Sequence, residues 1–345
     1  MGLVILAGLS YWKDRNMGIT REIASFITFF IGVFVAFEEF YLSAFLTILT
    51  TFILVLRTKL EGLAMRLEEE DLIAILKFFT ISAVILPIVP DREVIKGFNP
   101  SEAWKVVILA STVDFIGYFL LKYKGAKSLI ITALVGGLAS STAVTIAFSE
   151  LSRKFPRYSS LLFFAIILSW QVMFIRLIFY SFIVFKGLLI YTIQNLLPYF
   201  ITLLIFAFVV YLKSEKENIE EKNVSLKNPY SLTQAFTFGF LYSAISIVSV
   251  YLKDFLGDKG IYILSLVSGI MDIDAITLLL SRLAKEETIT VGVASIGILL
   301  AASSNNIFKS FYAIIFGSKK LRLYFTFPLF FTFIYLLLIL FFQFS

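Results

Sequence analysis

The sequence predicts an all-α, polytopic integral membrane protein, and three observations carry that prediction. Hydrophobic residues make up 59% of the 345 positions and charged residues 16%, against roughly 45–50% and about 25% in a soluble domain. The chain holds 39 Phe, more than a soluble core of this length has need of. The apolar residues also recur in runs long enough to cross a bilayer, which takes about 20 residues and no fewer than about 17. Because these runs cover the whole chain, one membrane domain is expected and not a soluble domain with an anchor.

The apolar segments lie at 2–12, 22–38, 41–57, 71–90, 102–122, 127–150, 158–185, 188–212, 232–252, 260–283, 288–316 and 322–344. The first is too short to span alone, so 11 or 12 transmembrane helices are expected. It has no basic stretch before it and no small-residue cleavage site, and reads as a short helix and not as a signal peptide. Glu38 and Glu39 read as a helix end. Two polar stretches, 57–71 with Glu68, Glu69 and Glu70, and 213–227, read as solvated loops. The net charge of +6 comes from short basic clusters between apolar runs, such as Arg153, Lys154 and Arg157. Such clusters face anionic headgroups, so the expected partner is the lipid bilayer and not nucleic acid.

Neither Cys nor His occurs. Disulfides, thiolate sites and zinc sites of the usual kind are thereby excluded, and the commonest general base is missing. Any metal must be held by oxygen, which suits hard cations such as Mg²⁺ or Na⁺. No nucleophile–base pair and no phosphate-binding loop is visible, so no enzymatic activity and no cofactor is expected beyond such a bound cation.

An internal repeat organises the chain. Residues 137–151 (GLASSTAVTIAFSEL) align with 269–283 (GIMDIDAITLLLSRL) at an offset of 132. Asn99-Pro100 precedes the first copy and Asn228-Pro229 the second. After the motif, 169–182 aligns with 302–314, placing Arg176 opposite Lys309 and Met173 opposite Asn306. Four apolar segments separate equivalent helices, so the copies share one orientation in the membrane, a known transporter plan. The expected division is 1–90, with a degenerate third copy from Gly18; 91–212, the first membrane repeat; 213–227, a polar loop; and 228–345, the second repeat.

The paired motifs carry the residues that could do chemistry. Asp272 and Asp274 lie inside an apolar segment, where each charged Asp costs roughly 2.5–3.5 kcal/mol. Positions two apart do not share a face of an unbroken helix. A break near Gly269 would turn both towards one cavity, with Thr277 adding a hydroxyl. The paired element, Gly136 and Gly137 followed by Ser140, Ser141, Thr142 and Thr145, reads equally as cation ligands beside a second break or as close helix packing. Asp114 is a further carboxylate and Asn306 a neutral oxygen ligand; either could instead bond a neighbouring helix. Arg176 and Lys309, also in apolar segments, could gate the site or pair with its carboxylates.

These same stretches look familiar. Residues 18–37 (GITREIASFITFFIGVFVAF) resemble the glycine-threonine element of the MgtC/SapB membrane protein family. Residues 76–91, 98–104, 136–145, 228–230 and 268–277, with the Asp114–Tyr118 region, resemble its longer branch, which carries a C-terminal membrane domain of uncharacterised role. The resemblance implies a membrane protein with a magnesium association, set in the cell membrane of a prokaryote.

The residues therefore lead to a secondary transporter or channel for a small inorganic cation, with Mg²⁺ implied by the resemblance and Na⁺ or H⁺ equally compatible with the side chains. The other reading is a regulatory membrane subunit that transports nothing and binds another membrane complex. A homo-oligomer is compatible with either.

Overall fold

A computed structural model describes residues 20–48, 50–51, 69–96, 98–124, 129–213 and 232–344. The first apolar segment, most of both polar stretches and Asn228-Pro229 lie outside the described residues. Among the described residues there is no strand, only an isolated bridge between Ile95 and Phe98, so the all-α membrane class holds.

The chain divides into two compact units, Met1–Ile73 and Ala74–Ser345. In the first, α1 (Thr20–Ala36) is followed by α2 (40–48). Glu38 sits between them at φ 61°, a left-handed conformation uncommon for a residue with a Cβ. The Phe37 and Glu39 N–H groups bond back to Val33 (3.1 Å) and Phe34 (3.0 Å). The two glutamates thus form the helix end that their charge suggests. A third helix, α3 (Glu69–Phe79), crosses the boundary at residue 73.

Within the second unit, α3 widens into a π-helical stretch, Thr80–Ile85. Trp104 Nε1 donates to the Ile81 carbonyl there at 2.8 Å. Two sets of four helical elements then follow. The first is α4 (Pro100–Lys124), α5 (Leu129–Lys154), α6 (Ser159–Val184) and α7 (Leu189–Leu212). The second is α8 (Leu232–Leu256), the pair α9 (Asp258–Met271) and α10 (Ile273–Lys285), α11 (Val291–Phe316) and α12 (Lys319–Phe344). Asn99 caps α4, its Oδ1 accepting the N–H groups of Ser101 (2.9 Å) and Glu102 (3.4 Å), with Pro100 in the first turn where no N–H is needed.

Six described helical stretches are long and apolar enough to cross a membrane: Leu129–Lys154, Pro156–Val184, Lys186–Leu212, Ala235–Leu256, Val291–Phe316 and Lys319–Ile339. Neither α9 nor α10, at 14 and 13 residues, reaches the length of a span, whereas together they hold enough residues for one crossing.

Burial repeats with the sequence. The most apolar stretches around α6 and α11 are 78% and 72% buried, those of α7 and α12 only 22% each. So α6 and α11 form the centre, and α7 and α12 form an outer shell with exposed Ile201, Ile205, Phe330 and Phe333. Such faces are stable against lipid tails, which are as apolar as they are. Each outer helix carries an internal proline, Pro198 and Pro328.

The glycines of the repeat do not break the helices, contrary to expectation. Gly136, Gly137 and Gly269 lie in helical turns just ahead of the interruptions. Two of them mark close helix approach instead: a Cβ on Gly137 would stand 2.8 Å from the Ser169 carbonyl oxygen, and one on Gly269 would overlap that of Ala301. These contacts also fix the repeat register, because positions 169 and 301 are 132 apart, like 137 and 269. The later helices therefore align one residue differently from the sequence reading, with Asn305 and not Asn306 equivalent to Met173, and Phe308 and not Lys309 equivalent to Arg176.

Gly269→Ala should lower stability by about 1–3 kcal/mol through overpacking, measured by thermal unfolding in detergent. Gly292→Ala, whose Cβ would meet only the Thr290 hydroxyl at 3.8 Å, should leave stability nearly unchanged.

Candidate solute site at two interrupted helices

The interruptions fall at equivalent positions of the repeat. Ser140 leaves the helical conformation inside α5 (φ −165°, ψ 103°). Asp272 does the same between α9 and α10 (φ −155°, ψ 113°). Residues 140 and 272 are 132 apart, the offset of the sequence repeat. Both conformations are extended and unstrained, so what the breaks require is hydrogen bonding.

Each polar side chain at a break restores part of the helix it interrupts. The Ser140 hydroxyl accepts the Ala143 N–H at 3.2 Å. Asp272 Oδ1 accepts two, from Asp274 (2.9 Å) and Ala275 (3.0 Å). Both are N-caps of the half-helices that follow. Carbonyls on the other side are met by the central helices: Arg176 Nη1 donates to Leu138 (2.8 Å), Asn305 Nδ2 to Gly269 (2.8 Å) and Ser304 to Leu266 (2.7 Å). In hydrocarbon this is obligatory, since no water is at hand to replace these partners.

The central helices also reach across between repeats. From α6, Arg176 Nη2 donates to Asp274 Oδ2 at 2.5 Å, and its Nη1 lies 3.6 Å from Asp114 Oδ1 on α4. From α11, Lys309 Nζ donates to Ser141 Oγ (2.8 Å) and Met173 Sδ (2.8 Å) and lies 5.7 Å from the Trp170 ring centre. Each repeat thus lends a base to the other's second half-helix.

Between the breaks is a cavity of about 480 Å³ whose lining includes Asp114, Ser140, Ser141, Thr142, Arg176, Asp272, Asp274, Asn305 and Lys309. Most of the side chains singled out in the sequence therefore meet. Three do not line it. Thr145 accepts from Trp170 Nε1 (2.9 Å) and donates to the Ser141 carbonyl. Asn306 donates to the Tyr199 hydroxyl (3.1 Å). Thr277 is fully buried with an unpartnered hydroxyl. Sequence reasoning missed Met173 and Trp170 around Lys309, and Thr233 and Thr237 of α8 in the lining; nothing in their spacing singled them out. Among the described residues no three acidic side chains are clustered as metal ligands.

Removing one member of the Arg176–Asp274 pair should destabilise the fold by about 3–5 kcal/mol, because the other charge is left buried. The double replacement Arg176→Met/Asp274→Leu should recover only part of that loss in detergent unfolding, because the Leu138 carbonyl and Asp114 still lose the guanidinium.

Residues 108–317, well over half of the chain, match the family described as a domain of unknown function, DUF4010. Both interruptions and every side chain lining the cavity fall within that stretch. The match begins beyond residues 18–37, whose likeness to MgtC/SapB proteins it does not include. A protein of Aquifex aeolicus (strain VF5), described as uncharacterized, is 62% identical over 215 residues, which are 62% of this chain and 94% of that protein. No solved structure matches the chain. By the extent of the first match, the chain belongs to the DUF4010 family.

Proposed function

We propose that this membrane protein is a secondary transporter or channel for a small inorganic cation, with its site between the two interrupted helices. One observation carries the reading. Two helices broken at equivalent repeat positions face one polar cavity inside a helical membrane bundle, and three carboxylates line it against two bases. Transporters with parallel repeats build solute sites from discontinuous helices in this manner. Intramembrane charges are otherwise too costly to be kept without a use.

The side chains favour Na⁺ or H⁺ over a directly ligated Mg²⁺. Arg176 already holds Asp274 and stands by Asp114, and Asp272 spends one oxygen on its own helix. A magnesium ion would enter this cavity with its waters. The magnesium association rests on the resemblance to MgtC/SapB proteins alone. In this reading the chain is not an enzyme, and the Ser141–Lys309 contact binds and does not catalyse.

Flux of Na⁺, K⁺, H⁺ and Mg²⁺ into proteoliposomes tests the reading. Asp272→Asn keeps a capping oxygen and Asp114→Asn removes the more weakly held of the two carboxylates beside Arg176, so both should fold. Each should lower flux about tenfold or more, the scale of losing one charge-assisted contact. Well-folded protein that carries none of the four ions would favour the regulatory membrane subunit instead.

Access of water can be read separately, because the chain has no Cys. A cysteine at Thr142, which lines the cavity, should react with a charged thiol reagent. One at Ser149, fully buried below it, should not.

A further inference from the structure

The two interruptions are alike in backbone and differ in charge. At the second, a carboxylate sits on the N-terminus of the half-helix, Asp272 accepting two N–H groups. At the first, a neutral hydroxyl stands in that place and accepts one. The half-helix it caps, 141–154, runs for almost four turns, so its N-terminus carries a substantial positive end.

A second feature points to the same spot. The Lys309 ammonium is 1% exposed and is aimed at Ser141, the first residue of that half-helix. Its remaining neighbours are a thioether and the Trp170 ring, neither of which neutralises a charge. Among the described residues no carboxylate lies within ion-pairing distance of it. The carboxylates in the cavity are engaged elsewhere, Asp274 with Arg176 and Asp272 with its own helix. An ammonium buried in a bundle with no carboxylate paired to it is disfavoured, and a helix N-terminus beside it is a site for anions.

We propose that the first interruption is a binding subsite for a compact anionic group, a halide or the carboxylate of a small solute, held between Lys309 and the N-terminus of the 141–154 half-helix. The bound anion takes the place that the Asp272 carboxylate fills in the second repeat. The subsite follows from burial and charge and does not depend on transport.

The test is an unfolding titration of the whole protein in detergent, with sodium bromide and separately with sodium formate, at constant sodium with gluconate as the balancing ion. Wild type should show a saturable rise in unfolding temperature. A rise with bromide alone assigns the subsite to a free halide, with formate alone to a solute carboxylate, and with both to the shared chemistry. Lys309→Met should weaken the apparent affinity about tenfold or more. Ser140→Asp, which tethers a carboxylate as Asp272 does, should unfold at higher temperature without added anion and lose the saturable rise. If Ser140→Asp does not fold, Lys309→Met decides. No saturable rise in wild type, or a rise unchanged in Lys309→Met, overturns the subsite. Cation flux in a protein that fails this test would leave the transport reading standing.

Discussion

A helix interrupted inside a bilayer leaves N–H and C=O groups that no solvent can satisfy, and the centre of this protein is arranged around that constraint. Ser140 and Asp272 cap the half-helices that follow them, while Arg176, Asn305 and Ser304 meet carbonyls on the preceding sides. Those three donors come from α6 and α11, so the two most buried helices must lie against the breaks. Glycine makes that approach possible, with Gly137 against Ser169 and Gly269 against Ala301. The polar cavity is in part a consequence of satisfying the breaks, because Arg176 and Asn305, which reach the carbonyls of Leu138 and Gly269, line it.

Arg176 shows how tightly packing and chemistry are joined. One guanidinium serves a carbonyl of its own repeat, a carboxylate of the other repeat and the neighbourhood of Asp114. Its planar fork allows several partners at fixed angles, which a lysine could not supply. Lys309 does less: one hydroxyl, one thioether and one ring. The two bases are therefore not interchangeable, although the sequence alignment set them opposite one another.

Much of this was legible in the sequence. Hydropathy gave the class and, from Pro100 on, the segments, since a span of hydrocarbon imposes a length on the apolar run. The repeat gave the paired elements, and intramembrane charge gave Asp114, Arg176, Asp272, Asp274 and Lys309 as cavity residues, because a charge kept in lipid must face a partner or a cavity. The break positions were less legible. Glycine has the weaker helix propensity, yet the chain breaks three residues later, where Ser140 and Asp272 can cap the next helix. Capping decided the place, and glycine decided how near the next helix could come. The one-residue shift between Met173 and Asn305 was hidden because the helices after the motif share little sequence, and only the glycine contacts pin their register.

Divergence between the repeats answers an electrostatic problem that exact duplication would create. Position 142 is equivalent to 274 and position 140 to 272, so a chain with aspartate at all four would, with Asp114, set five carboxylates around one cavity. Two bases could not neutralise them, and like charges at close range in a low dielectric repel strongly. Serine and threonine at 140 and 142 keep the cap and remove the charge. The cost of that solution is Lys309, which loses the carboxylate that an identical repeat would have placed near it. A repeat that had kept both the acid and the base would be electrostatically complete and closed to ions. This pair is incomplete on one side, where Lys309 meets a hydroxyl, a thioether and a ring and no carboxylate.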